Sequence, residues 1–325
     1  MFVADEQMKG DNSMDKYKYL RIPMSNNMIA QIMSEFNFNN EGHYAIIARY
    51  ISSTAPLVDL LVKEFHMQKF ANLSGKHLRA YVKKRQEDGI APATIMSDLS
   101  AIRYLYRRMG GKNRLPDNAE LGLEKRKFGE MDRAWLPCEI EKAIALAKAM
   151  GRTDVVFAIR LSKEFGLRVS EVARIRLEHI EKAVDNDHLW VKGKSGQVRE
   201  VPVERPEQRE LLNDLKAYAT KKGLQGMEFV LSDNKKYGVE RKIDSLQNWV
   251  INHRSKFTEA DRTNDVKEGY KPKVDKITLH GLRHYYTQKR GEWLEENHIR
   301  NAKHNLIESL GHHRESITKI YSNKK

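Results

Sequence analysis

Apolar residues return at the spacing of one helix face in three runs of the first third of the chain. The runs are Leu57 to Phe65, Lys76 to Gln86 with a stop at Gly89, and Ala93 to Met109 with a stop at Gly110-Gly111. In the last run Ile95, Leu99, Ile102, Tyr106 and Met109 form the expected buried face, with Arg103, Arg107 and Arg108 at or beyond its edges. One short helix is expected around Asn26 to Met33, after a polar start. Further on, Leu136-Pro137 opens a helix, with Pro in the first turn and Glu139 and Glu141 at the favourable end of the dipole. A helix from Asp154 to Phe165 must halt at Gly166, and another starts near Ser170. Leu189 to Val203 alternates as two strands, with Lys194-Ser195-Gly196-Gln197 as their turn. Thr278 is placed to cap a helix carrying His280, Arg283 and His284, and helices continue to the C-terminus. The pattern predicts a mainly α chain with a small β-ribbon.

At 325 residues the chain has room for two domains, each with its own core. Pro116, the Asn and Asp turn signals and the charge run Glu124-Lys125-Arg126-Lys127 mark a linker at 112–133. It separates a helical domain at 41–111, preceded by an extension at 1–40, from a second domain at 134–325. Lys plus Arg number 58 against 44 for Asp plus Glu, and the net charge of +14 favours a polyanionic partner. Ten of the basic and only three of the acidic residues fall between positions 71 and 114. Lys76, Arg79, Lys83, Arg103, Arg107 and Arg108 are therefore the expected DNA contacts of the first domain, a solvated helix face being the plainer alternative. No apolar run has the length of a membrane span and the N-terminus lacks a signal-peptide layout, so a cytoplasmic protein with no membrane partner is expected. A lone Cys138 excludes an intrachain disulfide.

The second domain holds the chemistry. Gly166 presents Arg168 in a tight connection between helices, with Glu171 three residues on to orient it. Lys194 sits at a hairpin tip, His280 and Arg283 share one helix face, His312 follows the helix break at Gly311, and Ile317 and Ile320 anchor a turn that displays Tyr321. Each has an ordinary reading alone: a capping arginine, a solvated lysine, a packed tyrosine. A metal cluster is disfavoured, because no acidic or cysteine partner stands at ligand spacing from the histidines.

Together these residues resemble the tyrosine recombinase (phage integrase) family. The resemblance rests on Glu164-Phe165-Gly166-Leu167-Arg168-Val169-Ser170-Glu171, on Gly193-Lys194 followed by Arg199-Glu200-Val201-Pro202, on His280-Gly281-Leu282-Arg283-His284, and on Leu310-Gly311-His312 with Tyr321. It departs from the pattern at Gln197, where many relatives carry a second lysine, and in the four residues after Tyr321, fewer than the docking tail of many relatives. The resemblance implies a two-domain DNA clamp in which a helical, SAM-like core-binding domain is joined to a tyrosine-recombinase catalytic domain. It implies Tyr321 as nucleophile, Arg168 and Arg283 as phosphate ligands, His280 as base, Lys194 as acid with Lys192 the lesser alternative, His312 as a phosphate or phenol contact, and Glu171 as support. No cofactor and no metal is implied. The partners implied are a specific duplex site, a homo-tetramer assembled on DNA, and an accessory DNA-bending or directionality factor where the site requires one. The expected activity is site-specific recombination for integration or excision of a mobile element in a prokaryote. A type IB topoisomerase and a catalytically silent DNA-binding regulator are the alternatives, and Tyr285 or Tyr286 would be the substitute nucleophile.

Overall fold

The structure is a computed structural model, and it describes residues 23–36, 44–125, 133–193, 196, 198–259 and 277–311. The chain divides into two compact units, Met1–Lys127 and Phe128–Lys325. As the apolar spacing predicts, the described residues are mainly helical with one two-stranded sheet. No described helix is long and apolar enough to cross a membrane.

In the first unit, helices α1 (Pro23–Ser34), α2 (Tyr44–Phe65), α3 (Gly75–Glu87) and α4 (Pro92–Arg108) surround one core. The expected face of α4 is buried at Ile95, Leu99, Ile102 and Tyr106, while Met109 is only half-buried just past the helix end. Helix α2 begins well before the Leu57 to Phe65 run and passes through Pro56. Burial of Ile47 and Ile51 on the same face offsets the backbone bond that proline cannot make. Asp98 is also buried, because the Tyr81 hydroxyl donates to it at 2.9 Å and Arg85 at 3.4 Å, pinning α3 to α4. Leu121 is buried in this core and Leu115 and Leu123 pack against it, so these residues of the expected linker lie with the first unit.

The second unit is built on α6 (Thr153–Phe165), which is buried over most of its circumference. Val155, Val156, Phe157, Ala158, Ile159, Leu161 and Phe165 are all buried, as expected of a helix enclosed by neighbours. Those neighbours include α5 (Pro137–Ala149), the short α7 (Val169–Ala173), α9 (Pro206–Lys221), α10 (Gly238–His253) and α11 (His280–Glu296). Truncating Ile159 or Leu161 to Ala would cost about 2–5 kcal/mol. Between α8 (Leu177–Asn186) and α9, strands β1 (His188–Lys192) and β2 (Val198–Pro202) pair antiparallel, with Leu189 opposite Val201 and Val191 opposite Arg199. Helix α12 (Ala302–Leu310) packs on α11 and β2.

Candidate active site

Helix α6 ends because Gly166 takes a left-handed conformation, φ 61°. No side chain fits there: a Cβ would lie 2.4 Å from the Tyr286 ring. Two residues later Arg168 occupies the N-cap of α7, where the third helical residue, Glu171, reaches back to it. One Glu171 carboxylate oxygen accepts the Arg168 backbone N–H at 2.8 Å and the other accepts Arg168 Nη1 at 2.8 Å. The same reach-back fixes other helix starts, with Glu139 accepting from Leu136 N–H and Gln208 from Arg205 N–H.

Glu171 is buried, and a second arginine forks onto it. Arg199 Nη1 and Nη2 donate to its two oxygens at 2.6 and 2.8 Å. Burial alone would raise the Glu171 pKa. Arg199, the Arg168 backbone N–H and the charge of Arg283 overcome that effect and hold it at about 2. The carboxylate is thus ionised at any working pH. Sequence reasoning placed Arg199 within a motif and gave it no role. The signal was its place in β2, where Arg199 and Val201 are buried while Val198 and Glu200 are exposed.

Arg283, on the first turn of α11, is fully buried. Its Nη1 donates to the Gly166 carbonyl at 2.5 Å and its Nη2 to the Leu310 carbonyl, tying the end of α6 to the end of α12. Thr278 does not cap α11 as expected from the sequence. The residue before the helix is Leu279, without a side-chain cap, and Thr278 instead offers its carbonyl to Trp135 Nε1 at 2.8 Å. Gly281 permits this contact, since a Cβ there would lie 2.4 Å from the Arg133 carbonyl and 2.6 Å from the Trp135 ring.

His280 keeps an exposed edge, yet much protein surrounds it. That partial burial, then the positive charges of Arg283, Arg168 and Arg133, pull its pKa down to about 4, with Glu171 pulling weakly the other way. The open edge moderates the effect of burial, but the three cations act in the same direction. At neutral pH the ring is uncharged and able to accept a proton. Its neighbour His284 is buried, the two rings meeting edge to face at 5.5 Å.

Arg168, Glu171, His280 and Arg283 are therefore brought together. Lys194, His312 and Tyr321 lie outside the described residues. Of the substitute tyrosines, Tyr286 is buried against Gly166 and Tyr285 is half-buried against the core. In the first unit Lys76, Arg79, Lys83 and Arg107 are exposed. Arg103 is half-buried and donates to Asn118 and to the Pro116 carbonyl, while Arg108 is exposed, donates to the Glu35 carbonyl and lies over the Phe36 ring. Among the described residues no three His, Cys, Asp or Glu side chains are grouped to hold a metal ion. A separate cleft of about 520 Å³, lined by Lys222, Ser232, Arg241, Lys242 and Ser245, has two of these cations paired, Lys242 with Asp154 and Arg241 with Asp233, while Lys222 lies over the Tyr218 ring.

A part-exposed Arg168 held on Glu171, with the buried Arg199 and Arg283 adding charge behind it and a neutral imidazole beside it, is suited to holding a phosphodiester and moving a proton at it. The comparisons agree with that class. The family profile described as "Phage integrase family" matches residues 137–325, and the one described as "Phage integrase, N-terminal" matches residues 44–115. The chain belongs to the phage integrase family. Tyrosine recombinase XerC of Pseudomonas putida is 29% identical over 150 residues, 44% of this chain and 48% of the relative, so the chain spans about half the length of that curated relative. The fold is similar to that of a lambda integrase dimer bound to a COC' core site, at TM-score 0.56 and 14% identity, over 89% of this chain and 93% of that one. It is also similar to the Tn1549 transposon integrase in complex with transposon right end DNA, at TM-score 0.54 and 14% identity, over 94% and 96%.

Proposed function

We propose that the chain is a site-specific DNA recombinase that cuts and rejoins strands through a 3′-phosphotyrosyl intermediate, serving integration or excision of a mobile element. The observation that carries this is the cluster of Arg168, Glu171, Arg199 and Arg283 beside neutral His280, in a chain of the phage integrase family. Tyr321 Oη attacks a backbone phosphorus, the bond from phosphorus to the 5′ oxygen breaks, and the released 5′-hydroxyl later reverses or redirects the step. The phosphodiester energy is kept in the protein-DNA bond. Roughly one phenol in a thousand is ionised at pH 7, so His280 takes the proton as Tyr321 attacks. Arg168, whose side chain is 30% exposed, holds the non-bridging oxygens. Arg283, expected as a second phosphate ligand but fully buried with both Nη groups on carbonyls, adds its charge from behind, and Lys194 protonates the departing 5′ oxygen. His312 contacts the phosphate or phenol.

In this reading the first unit, which takes in α1 and Leu115 to Leu123 beyond the expected bounds of 41–111, is the core-binding domain and residues 134–325 are the catalytic domain, both acting on duplex DNA. Strand exchange joins two duplexes, hence a homo-tetramer; a lambda integrase tetramer bound to a Holliday junction, similar in fold at TM-score 0.57 and 14% identity over 91% of this chain and 75% of that one, supports that assembly. The protein works in a prokaryotic cytoplasm, with an accessory DNA-bending or directionality factor where the site requires one.

The test is to incubate the protein and its Tyr321→Phe variant with fragmented DNA of the source genome, isolate adducts that survive denaturation, and sequence their ends. Tyrosine-dependent adducts clustered at one inverted-repeat site are expected. Scattered adducts would make the protein a topoisomerase, and none at all a DNA-binding regulator. Lys194→Ala should cut normal DNA slowly and recover on DNA whose 5′ bridging oxygen is sulfur.

A further inference from the structure

We propose that Arg199 is a positioning residue for strand cleavage, one that locks Glu171, and through it Arg168, to the turn at Gly311 from which the chain runs on to His312 and Tyr321. The inference rests on the recombinase reading above. A single guanidinium makes the link: two of its nitrogens fork onto Glu171 at 2.6 and 2.8 Å, and Nε donates to the Ser309 carbonyl at 2.9 Å. Ser309 lies in the last turn of α12, where carbonyls lack partners within the helix and a cation is favoured. The next carbonyl, that of Leu310, is taken by Arg283. Two buried arginines thus cap one helix end.

The turn that follows is moulded on the Arg199 side chain. Gly311 has φ 61°, and a Cβ there would lie 2.9 Å from Arg199 Cδ. The Gly311 backbone lies directly against the arginine stem. On the other side, Glu171 spends both oxygens on the two arginines and on the Arg168 backbone, so a displacement of Arg199 is passed to Arg168. The strand that carries Arg199 also continues the hairpin containing Lys194. Arg199 is therefore the joint at which Glu171 with its bound Arg168, strand β2 and the end of α12 meet. With its side chain 8% exposed, it does not reach a phosphate itself.

The test compares full-length wild type, Arg199→Gln and Arg199→Lys on the DNA fragments recovered as adducts by the wild type. Affinity is read from binding and chemistry from single-turnover adduct formation between pH 3 and 9, a range that reaches below the ordinary Glu171 value of 4.5. Arg199→Gln should bind within about 3-fold of wild type yet form adducts about 100-fold more slowly, the scale of a misplaced catalytic group. Arg199→Lys keeps the charge without the fork and should lose about 10-fold. The acid limb of the rate should move to higher pH in Arg199→Gln, because Glu171 loses a partner that keeps it ionised. Wild-type rates in both variants overturn the proposal, as does a loss of rate matched by an equal loss of affinity with an unmoved acid limb. If Arg199→Gln shows no cooperative unfolding, Arg199→Lys decides by the same readouts, and failure of both to fold assigns Arg199 a purely structural role. A wild type that forms no adduct rejects the recombinase reading before any variant is compared.

Discussion

Glu171→Gln keeps the side-chain volume and removes the charge at the centre of the arginine cluster. The carboxylate accepts four bonds, from Arg168 N, Arg168 Nη1, Arg199 Nη1 and Arg199 Nη2, and only 2% of the side chain is exposed. A glutamine amide replaces one acceptor oxygen by a donor facing guanidinium N–H groups. Breaking a buried pair in this way costs about 3–5 kcal/mol. Linkage gives a second route to the magnitude: a carboxyl at about 2 in the fold, against a reference of 4.5, contributes on the order of 3 kcal/mol at neutral pH. The sign follows from the lowered pKa. The contribution is complete above the unfolded value of 4.5 and is lost as pH falls through 2. The assay is urea unfolding followed by tryptophan fluorescence, and all four tryptophans, Trp135, Trp190, Trp249 and Trp293, lie in the second unit. That signal reports the unit that holds the site. At pH 7 the variant should unfold roughly 2 M earlier, for a slope of about 2 kcal/mol per molar urea. By pH 3 the gap should shrink to less than about half. A gap of equal size at pH 7 and pH 3 would refute the reasoning, because the loss would then not come from the charge.

His280 should titrate well below 6.5 in a proton NMR titration of the DNA-free protein, near 4, and Arg133→Ala should raise that value by removing one of the cations beside it. Between those two pH values the unfolded chain binds the proton first, so this group lowers stability as pH falls from 6.5; a free-protein value of 6.5 or above contradicts the site's electrostatics. Gly166→Ala combines left-handed strain with a Cβ 2.4 Å from the Tyr286 ring, and should lower stability by about 2–4 kcal/mol and slow adduct formation. A stability loss under about 1 kcal/mol would show that α6 can end there without glycine. In the first unit, Arg107→Ala should flatten the dependence of log affinity on log salt by up to about 0.9. Arg103→Ala, which removes bonds to Asn118 and Pro116, should cost about 1–3 kcal/mol of stability and leave that slope alone; measured salt slopes and unfolding midpoints in the reverse pattern would exchange the two roles.

The contrast between Arg107 and Arg103 shows what a single sequence makes legible. Helical spacing identified the buried face of α4, and both arginines lay off that face, so both read as surface cations. Only one is free of buried work, because Arg103 meets the stretch at 116–118, a contact that no periodicity within α4 encodes. Asp98 is the converse case, a polar residue inside a helix face whose partners Tyr81 and Arg85 belong to another helix. The site follows the same rule. The stop at Gly166, the placement of Arg168 and the reach of Glu171 are local, within six positions of one another, and could be read directly. The anchoring of Arg283 and Arg199 is not local: it uses the Gly166 carbonyl, 117 positions from Arg283, and the Ser309 carbonyl, 110 positions from Arg199. Thr278 is not the cap because the helix begins at His280 with Leu279 before it, and the Thr278 carbonyl meets Trp135, 143 positions away. Yet β2 did carry a usable signal for Arg199. Its alternation puts an arginine on the apolar face with Val201, and a guanidinium so placed requires a carboxylate and further acceptors around it. In a chain that already offers Glu171 beside a catalytic-type arginine, that requirement narrows the partner to very few carboxylates, and an inward-facing strand arginine becomes evidence for a charge network before any contact is seen.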